Sequence, residues 1–384
     1  MGHGRRKAAS HPPQKHRRPA SAWPTWVKNL IEYCENGSIP LDFVSTHACE
    51  HRPQPSSCCG VPAMHPQASL RFLALLTVAE CAADPTMYLS HRAADIANQR
   101  YQLQLARNLS NTNPDIPLLI TEWSSSPSSR APYHDTWQKA AFVVAAVLDA
   151  IDTPGLNLTA YSFWALSDIF TEGGFPSHGI PFHGGFGLLN VFGVRKPAFR
   201  AFELLHKGGS MRAAVEVGPG VGSGNLTVLP LLNHENRTLT VLVANHACPS
   251  CGVLGNATID LHVSGISLAG GGGDHVTTIT AMLGRVNSTS ANPQAAWVAM
   301  GSPDYPTPSQ LQVMHEASAI VEDPVSLRKA DDIDRDFIVQ RAQANRDSAL
   351  RGDEGEGEGE GLEAWVLSGL VVEAYSLVYV RIEY

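Results

Sequence analysis

The chain has 384 residues, of which 43% are hydrophobic and 17% charged, so most of it can bury a core and wholesale disorder is excluded. Its 36 acidic and 28 basic residues give a formal charge of −8, which provides no broad electrostatic footprint for nucleic acid. The longest apolar run, residues 70–83, contains Arg71 and Glu80 and is too short and too charged to span a bilayer. The length fits two domains, and we expect neither a nucleic-acid nor a membrane partner.

The first segment, residues 1–18, is basic and Pro-rich and has no apolar stretch of the kind found in secretory signals. We interpret it as a disordered leader. Seven Asn-x-Ser/Thr sequons instead suggest a secreted or lysosomal parent protein, so we expect that this chain lacks its true N-terminus. The sequons begin at Asn36, Asn108, Asn157, Asn225, Asn236, Asn256 and Asn287.

Residues 19–207 alternate helical and strand-like patterns, which predicts parallel strands. The predicted strands end in polar residues, namely His47, Glu122 and Asp168. In a (β/α)8 barrel the active site is built from the C-terminal ends of the strands. The irregular stretch 49–85 looks inserted. The predicted helices cover 22–35, 93–109, 135–151 and 196–205, and the predicted strands cover 41–47, 117–123 and 160–168.

From residue 208 to 384 the pattern changes to short strands separated by turn clusters, which predicts a β-sandwich domain. Within it, the low-complexity run 353–361 is rich in Gly and Glu and predicts a solvated acidic loop. The predicted strands cover 225–232, 239–244, 257–263, 276–282 and 376–382.

Five stretches together resemble glycoside hydrolase family 39, which includes β-xylosidases and α-L-iduronidases. The similarity extends over roughly residues 19 to 320. The stretches are Asp42-Phe-Val-Ser-Thr-His47, Ile120-Thr-Glu-Trp123, Tyr161 to Phe170, Pro181 to Leu189 with Arg195-Lys-Pro197, and Ala296 to Tyr305.

The resemblance implies a retaining mechanism, in which one carboxylate attacks the anomeric carbon and a second acts as acid and then as base. Glu122 matches the nucleophile. The residues that the resemblance places near substrate are His47, Trp123, Trp164, Asp168, Glu172 and His183. It implies no metal and no cofactor.

Each of these residues also has a purely structural alternative. Glu122 could be a surface carboxylate, and Trp123 and Trp164 could pack inside a barrel. Asp168 could cap a helix, and Glu172 and His183 could be ordinary loop residues. Arg195 and Lys196 could face an acidic sugar, although a solvated helix start is the safer interpretation.

The acid/base glutamate of the family lies in an Asn-Glu-Pro type motif, and the dipeptide Asn-Glu does not occur in this chain. We therefore expect a partial (β/α)8 barrel, containing only its C-terminal strands, followed by the β-sandwich. Loss of the general acid would lower the rate by about 10²–10⁴.

Two functions remain open from the sequence. The first is retaining hydrolysis of the O-glycosyl bonds of xyloside-like or uronic-acid sugars, by a truncated enzyme. The alternative is a non-catalytic carbohydrate-binding or scaffold protein derived from such an enzyme. Both predict a carbohydrate partner, and the oligomeric state is left open.

Overall fold

The computed structural model describes residues 24–38, 41, 43–48, 103–104, 106–110, 115–125, 130–153, 156, 158–169, 179–215, 225–247, 253–265, 278–330 and 364–384. Several sequence predictions lie outside these residues. They concern the leader 1–18, the insertion 49–85, the acidic loop 353–361 and Glu172.

The first part of the fold is a parallel sheet covered by helices. Strands β1 (Val44–Ala48), β2 (Leu118–Trp123) and β3 (Ala160–Phe163) lie in the order β1-β2-β3, and both pairings are parallel. Helix α1 (Pro24–Asn36) precedes β1, α2 (Gln138–Asp152) lies between β2 and β3, and α3 (Pro197–Gly208) follows β3. The predicted parallel alternation of strands and helices is therefore confirmed in the described residues.

Two predicted boundaries differ from the structure. The predicted helix 135–151 begins only at Gln138, because Pro132–Asp135 form a separate 3-10 helix. The predicted strand 160–168 ends at Phe163, and the chain then continues without ladder pairing.

In the second part, the described residues form one antiparallel sheet of eight strands. They are β4 (Met211–Arg212), β5 (Leu226–Asn233), β6 (Thr238–Asn245), β7 (Ala257–Ser264), β8 (Thr278–Val286), β9 (Glu322–Lys329), β10 (Ala364–Val372) and β11 (Leu377–Glu383). Their order is β4-β5-β6-β11-β8-β9-β10-β7. A short helical hairpin, α4 (Pro293–Ala299) and α5 (Pro308–Ala317), connects β8 to β9.

This sheet curls on itself. One apolar cluster contains Val241 from β6, Leu283 from β8 and Val263 from the edge strand β7. Strands that lie far apart in the sheet, such as β6 and β7, contribute to one apolar core only if the sheet bends around that core. The sequence predicted a sandwich of two sheets, whereas hydrogen bonds join the described strands into one curled sheet. The patterns also missed β4, β9 and β10. Of these, β9 contains Pro324 and charged residues that are atypical of a strand.

The two parts share one hydrophobic core. Helix α2 is apolar on most of its surface, and a helix of that kind is buried on several sides. Phe142 on α2 contacts Trp123 of β2 and His246 beyond β6, with ring-centroid distances of 6.2 and 5.7 Å. The same cluster includes Leu229 and Leu242 of the antiparallel sheet. Packing is thus continuous across the boundary that the sequence predicted at residues 207 and 208.

Phe142 therefore gives a test of whether the two parts unfold together. The substitution Phe142→Ala should cost about 3–5 kcal/mol of unfolding free energy, because it leaves a cavity in the shared core. Hydrogen exchange should show equal loss of protection in peptides containing Trp123 and Trp365. Tyr33→Ala is the control, since Tyr33 is 69% exposed. Loss of protection confined to the Trp123 peptide would show that the two parts are independent.

Candidate active site

Glu122 lies at a bulge near the C-terminal end of β2. The register with β1 passes from Ile120 opposite Thr46 to Glu122 opposite His47 and skips Thr121. The register with β3 shifts in the same place, between Ile120 and Trp123. Bulges redirect side chains and are frequent next to active sites. The irregularity therefore falls at the residue that the sequence indicated as the nucleophile.

The bulge also decides which face of the sheet carries Glu122. Ile120 and Trp123 are 0% and 1% exposed and belong to the core shared with α2. Glu122 is half-buried and Thr121 is exposed. Because successive side chains of a strand point to opposite faces, Glu122 lies on the face away from Trp123 and the helices. Its side chain therefore lies on the face of the parallel sheet opposite the helices.

The structure corrects the expectation that Trp123 faces a sugar. Its ring is stacked on Tyr161 at 4.4 Å and meets Phe163 edge-on at 5.1 Å. Its indole N–H donates to the carbonyl oxygen of Tyr161 at 3.3 Å. No face of this ring is open to a ligand, so Trp123 is a core residue.

His47 and Trp164 lie at the same edge of the sheet as Glu122. The backbone of His47 pairs with Glu122, and the amide of Trp164 donates to the carbonyl oxygen of Trp123 at 2.8 Å. Trp164 is half-buried, and its peptide bond to Ala165 is cis. His47 therefore lies near a strand end, as predicted, whereas Trp164 lies just beyond the end of β3 and not within the strand. The contacts of both residues with substrate remain a prediction.

The glycine loop, Pro181–Gly187, lies against the segment that follows β3. Ala165 donates to the carbonyl oxygen of Phe186 at 3.3 Å, and Leu188 donates back to the carbonyl oxygen of Ala165 at 2.9 Å. His183, within the loop, is half-buried and has Nδ1 at 3.3 Å from the carbonyl oxygen of Ile180. The loop is thus hydrogen-bonded through Phe186 to Ala165, the residue that follows Trp164.

Beneath this loop is an ion cluster formed by Asp135, Asp168 and Lys196. The Lys196 ammonium is 2.5 Å from Oδ1 of Asp135 and 2.5 Å from Oδ2 of Asp168. All three side chains are almost completely buried. Burial alone would lower the pKa of Lys196, but the two carboxylates raise it above its ordinary value. Burial raises the pKa of Asp135, and Lys196 opposes that shift.

The geometry of this ion cluster shows that two interpretations made from the sequence, those of Asp168 and Lys196, were wrong. Asp168 was expected to contact substrate or to cap a helix, yet it is 1% exposed and bound to Lys196. Lys196 was expected at a solvated helix start, yet it is 0% exposed. Asp135 was not selected as a site residue; it is the first residue of the predicted helix 135–151. The Lys-Pro pair at the start of α3 drew attention to Lys196 in the sequence. The residues around it do not show that its ammonium binds two carboxylates that are distant in the chain.

Two further buried groups flank the cluster, and sequence reasoning did not select either. Lys139 is 0% exposed; its ammonium donates to Oγ of Ser124 at 3.3 Å and lies 4.9 Å from the ring centroid of Phe163. Burial lowers the pKa of Lys139 to about 7, and repulsion from Lys196 contributes to the shift. Burial, and then repulsion from Lys139, lower the pKa of His134 well below its ordinary value. The available signal was a single lysine at the start of an otherwise apolar helix.

In the described part of the chain, no group of three or more His, Cys, Asp or Glu side chains is placed to hold a metal ion. None of the described helices is long and apolar enough to cross a membrane.

Comparison with known proteins identifies the class as the O-glycosyl hydrolases. Residues 78–333, more than half of the chain, match the family described as Glycosyl hydrolases family 39. The chain belongs to this family. The predicted family resemblance is therefore confirmed.

The relatives are β-xylosidases. The chain is 30% identical over 309 residues to a β-xylosidase of Caldicellulosiruptor saccharolyticus, with 80% of this chain and 53% of the relative covered. It is 28% identical over 196 residues to one of Geobacillus stearothermophilus, covering 48% and 33%. The chain thus spans about half the length, or less, of these curated relatives.

Solved structures share the fold. A family 39 β-xylosidase from Caulobacter crescentus has a TM-score of 0.57 at 20% identity, over 96% of this chain and 57% of that one. A bacterial orthologue of human α-L-iduronidase has a TM-score of 0.53 at 12% identity, over 90% and 50%. These likenesses show that the fold of most of this chain recurs in part of each solved structure.

The buried Lys139 predicts a pH dependence of stability. Its folded-state pKa of about 7 lies below its ordinary value of 10.5, so between these values the unfolded chain binds the extra proton. Stability from this group should rise with pH through that window, by at most ~1.4 kcal/mol per pH unit. Lys139→Met should remove the rise, so its stability relative to wild type should fall from pH 7 to pH 10.

Urea unfolding at several pH values measures this difference. The control is Lys28→Met, because the side chain of Lys28 is 49% exposed and its replacement should give a difference independent of pH. A difference for Lys139→Met that is equally flat would show that Lys139 keeps its proton in the folded state.

Proposed function

We propose that the protein acts as a retaining glycosidase on xyloside-like sugars, with Glu122 as the nucleophile. The observation that supports this proposal most directly is the position of Glu122 in a family 39 chain. It lies at a bulged strand end, on the face of the parallel sheet opposite the helices. In the proposed first step a carboxylate oxygen of Glu122 bonds to the anomeric carbon as the bond to the leaving oxygen breaks, and the leaving oxygen takes its proton from solvent. Water then cleaves the glycosyl ester and regenerates the carboxylate.

The xyloside preference rests on the named relatives, both β-xylosidases, and on the glycine loop beside Trp164. In this proposal Trp164 offers an apolar surface to the sugar ring, and His47 and His183 contact its hydroxyl groups. A role for Glu172 is retained from the sequence resemblance alone. Trp123 and Asp168 have no place in it, because both are buried.

The acid/base residue is proposed to be absent from this chain. A retaining pair needs its two carboxyl groups about 5–5.5 Å apart on opposite sides of the scissile bond. Asp135 and Asp168 are buried in the ion cluster and cannot protonate a leaving group. The missing Asn-Glu dipeptide supports the same conclusion. We accordingly propose that β1, β2 and β3 are C-terminal strands of a (β/α)8 barrel.

A probe that needs no general acid tests the nucleophile directly. The aglycone of 2,4-dinitrophenyl 2-deoxy-2-fluoro-β-D-xyloside leaves as a stable anion, so protonation is unnecessary. The fluorine slows hydrolysis of the glycosyl ester, which then accumulates. We expect intact-mass analysis to show one fluoroxylosyl adduct and peptide mapping to place it on Glu122.

The matched variants are Glu122→Gln, which should give no adduct, and Glu235→Gln, which should react like wild type because Glu235 lies in the exposed turn between β5 and β6. An adduct on another residue would remove Glu122 from the role. No adduct with the folded wild-type chain would overturn the proposed catalytic function.

A further inference from the structure

We propose that Lys196, together with Asp135 and Asp168, is a positioning unit that holds the glycine loop, and with it His183, at the substrate site. The inference rests on the proposed function, since it concerns the same site. None of the three residues touches substrate. They act through the backbone of the loop.

All three residues of the positioning unit bind the backbone of the glycine loop. Oδ2 of Asp135 accepts from the amide of Gly184 at 2.6 Å, and Oδ1 of Asp168 accepts from the amide of Gly187 at 2.7 Å. The Lys196 ammonium donates to the carbonyl oxygen of Gly185 at 3.1 Å. Each member of the ion cluster therefore binds one backbone group of the loop and also another member.

The ammonium of Lys196 determines where both carboxylates can be. Each carboxylate uses one oxygen for Lys196 and the other for a loop amide. Without the cation, two nearly unexposed carboxylates would face each other without neutralisation, which is costly in a dry interior. They would then take up protons or move apart, and in both cases the loop amides would lose their fixed acceptors.

The sequence of the loop fits this close approach. A Cβ atom at Gly185 would collide with the Asp168 carboxylate, and one at Gly187 would collide with the backbone amide of Asp168. Gly184 has φ of +82°, and a Cβ there would meet the backbone of Arg130 and Ala131. Only glycine lets the backbone lie directly on the ion cluster.

The positioning unit acts on the site through His183, because both chain neighbours of His183, Phe182 and Gly184, are held in place. On one side Phe182 is buried against Trp297 of α4, with ring centroids 5.6 Å apart. On the other side Gly184 is bound to Asp135, and its carbonyl oxygen is 2.9 Å from Nδ1 of His134. Buried ion pairs add little net stability, whereas they do fix geometry. Fixing His183 and the chain beside Trp164 is the use that this geometry supports.

The experiment measures labelling of the full chain by the same fluoroxyloside over a range of probe concentrations. For Lys196→Met we expect the concentration giving half-maximal labelling to rise about tenfold, because the loop no longer presents its groups in the binding geometry. The limiting labelling rate should change less. Hydrogen exchange should show faster exchange in peptides covering 182–188, while peptides of the antiparallel sheet keep their protection.

Two further variants complete the design. Lys207→Met is the matched control, since Lys207 lies on α3 with its side chain 68% exposed, and it should behave like wild type. Asp168→Asn keeps the acceptor for Gly187 but removes the charge that binds Lys196. It should raise the half-maximal concentration in the same direction as Lys196→Met. This variant carries the test if Lys196→Met does not fold.

The outcomes separate the two proposals. Normal half-maximal concentrations for both folded variants, with the wild type labelled on Glu122, would overturn the positioning role and leave the catalytic proposal intact. Faster exchange of the loop without a change in labelling would show a purely structural cluster and would also overturn it. An unlabelled wild type would overturn the proposed function, and the positioning role would fall with it.

Discussion

The ammonium of Lys196 joins three segments that are distant in the sequence. It binds Asp135 in the 3-10 helix before α2 and Asp168 in the chain after β3, and it also binds the carbonyl oxygen of Gly185. Two carboxylates and one ammonium, all nearly unexposed, require each other, because a buried charge without a partner is expensive. The position of the loop beside the candidate site follows from this arrangement of charges.

The antiparallel sheet contributes to the same region. Helix α2 packs between the parallel sheet and strands β5 and β6, so the second sheet covers an otherwise exposed apolar surface. The hairpin of α4 and α5 reaches the glycine loop, where Trp297 contacts Phe182. Between the two helices, the amide of Tyr305 donates to the carbonyl oxygen of Gly179, two residues before the loop, at 2.7 Å. The site region therefore depends on both parts of the fold.

The bulge at Glu122 serves both the stability of the core and the placement of the candidate nucleophile. The strand must present Leu118, Ile120 and Trp123 to the helices, and strict alternation would leave Trp123 on the wrong face. Skipping one residue restores the buried position of Trp123 and leaves Glu122 on the opposite face. The core residue and the candidate nucleophile are thus neighbours in the sequence but serve opposite sides of the sheet.

The sequence alone determined that β1, β2 and β3 are parallel, that Glu122 lies near a strand end, and which family the chain belongs to. Periodicity and motifs suffice for these conclusions because they are local properties of the chain. Only the tertiary structure decided that the side chains of Trp123, Asp168 and Lys196 are buried rather than exposed to substrate or solvent. A tryptophan next to a nucleophile looks the same in a sequence whether it faces a sugar or the core. An aspartate and a lysine neutralise each other only when the fold brings them together, and the curl of the antiparallel sheet likewise depends on contacts between distant strands.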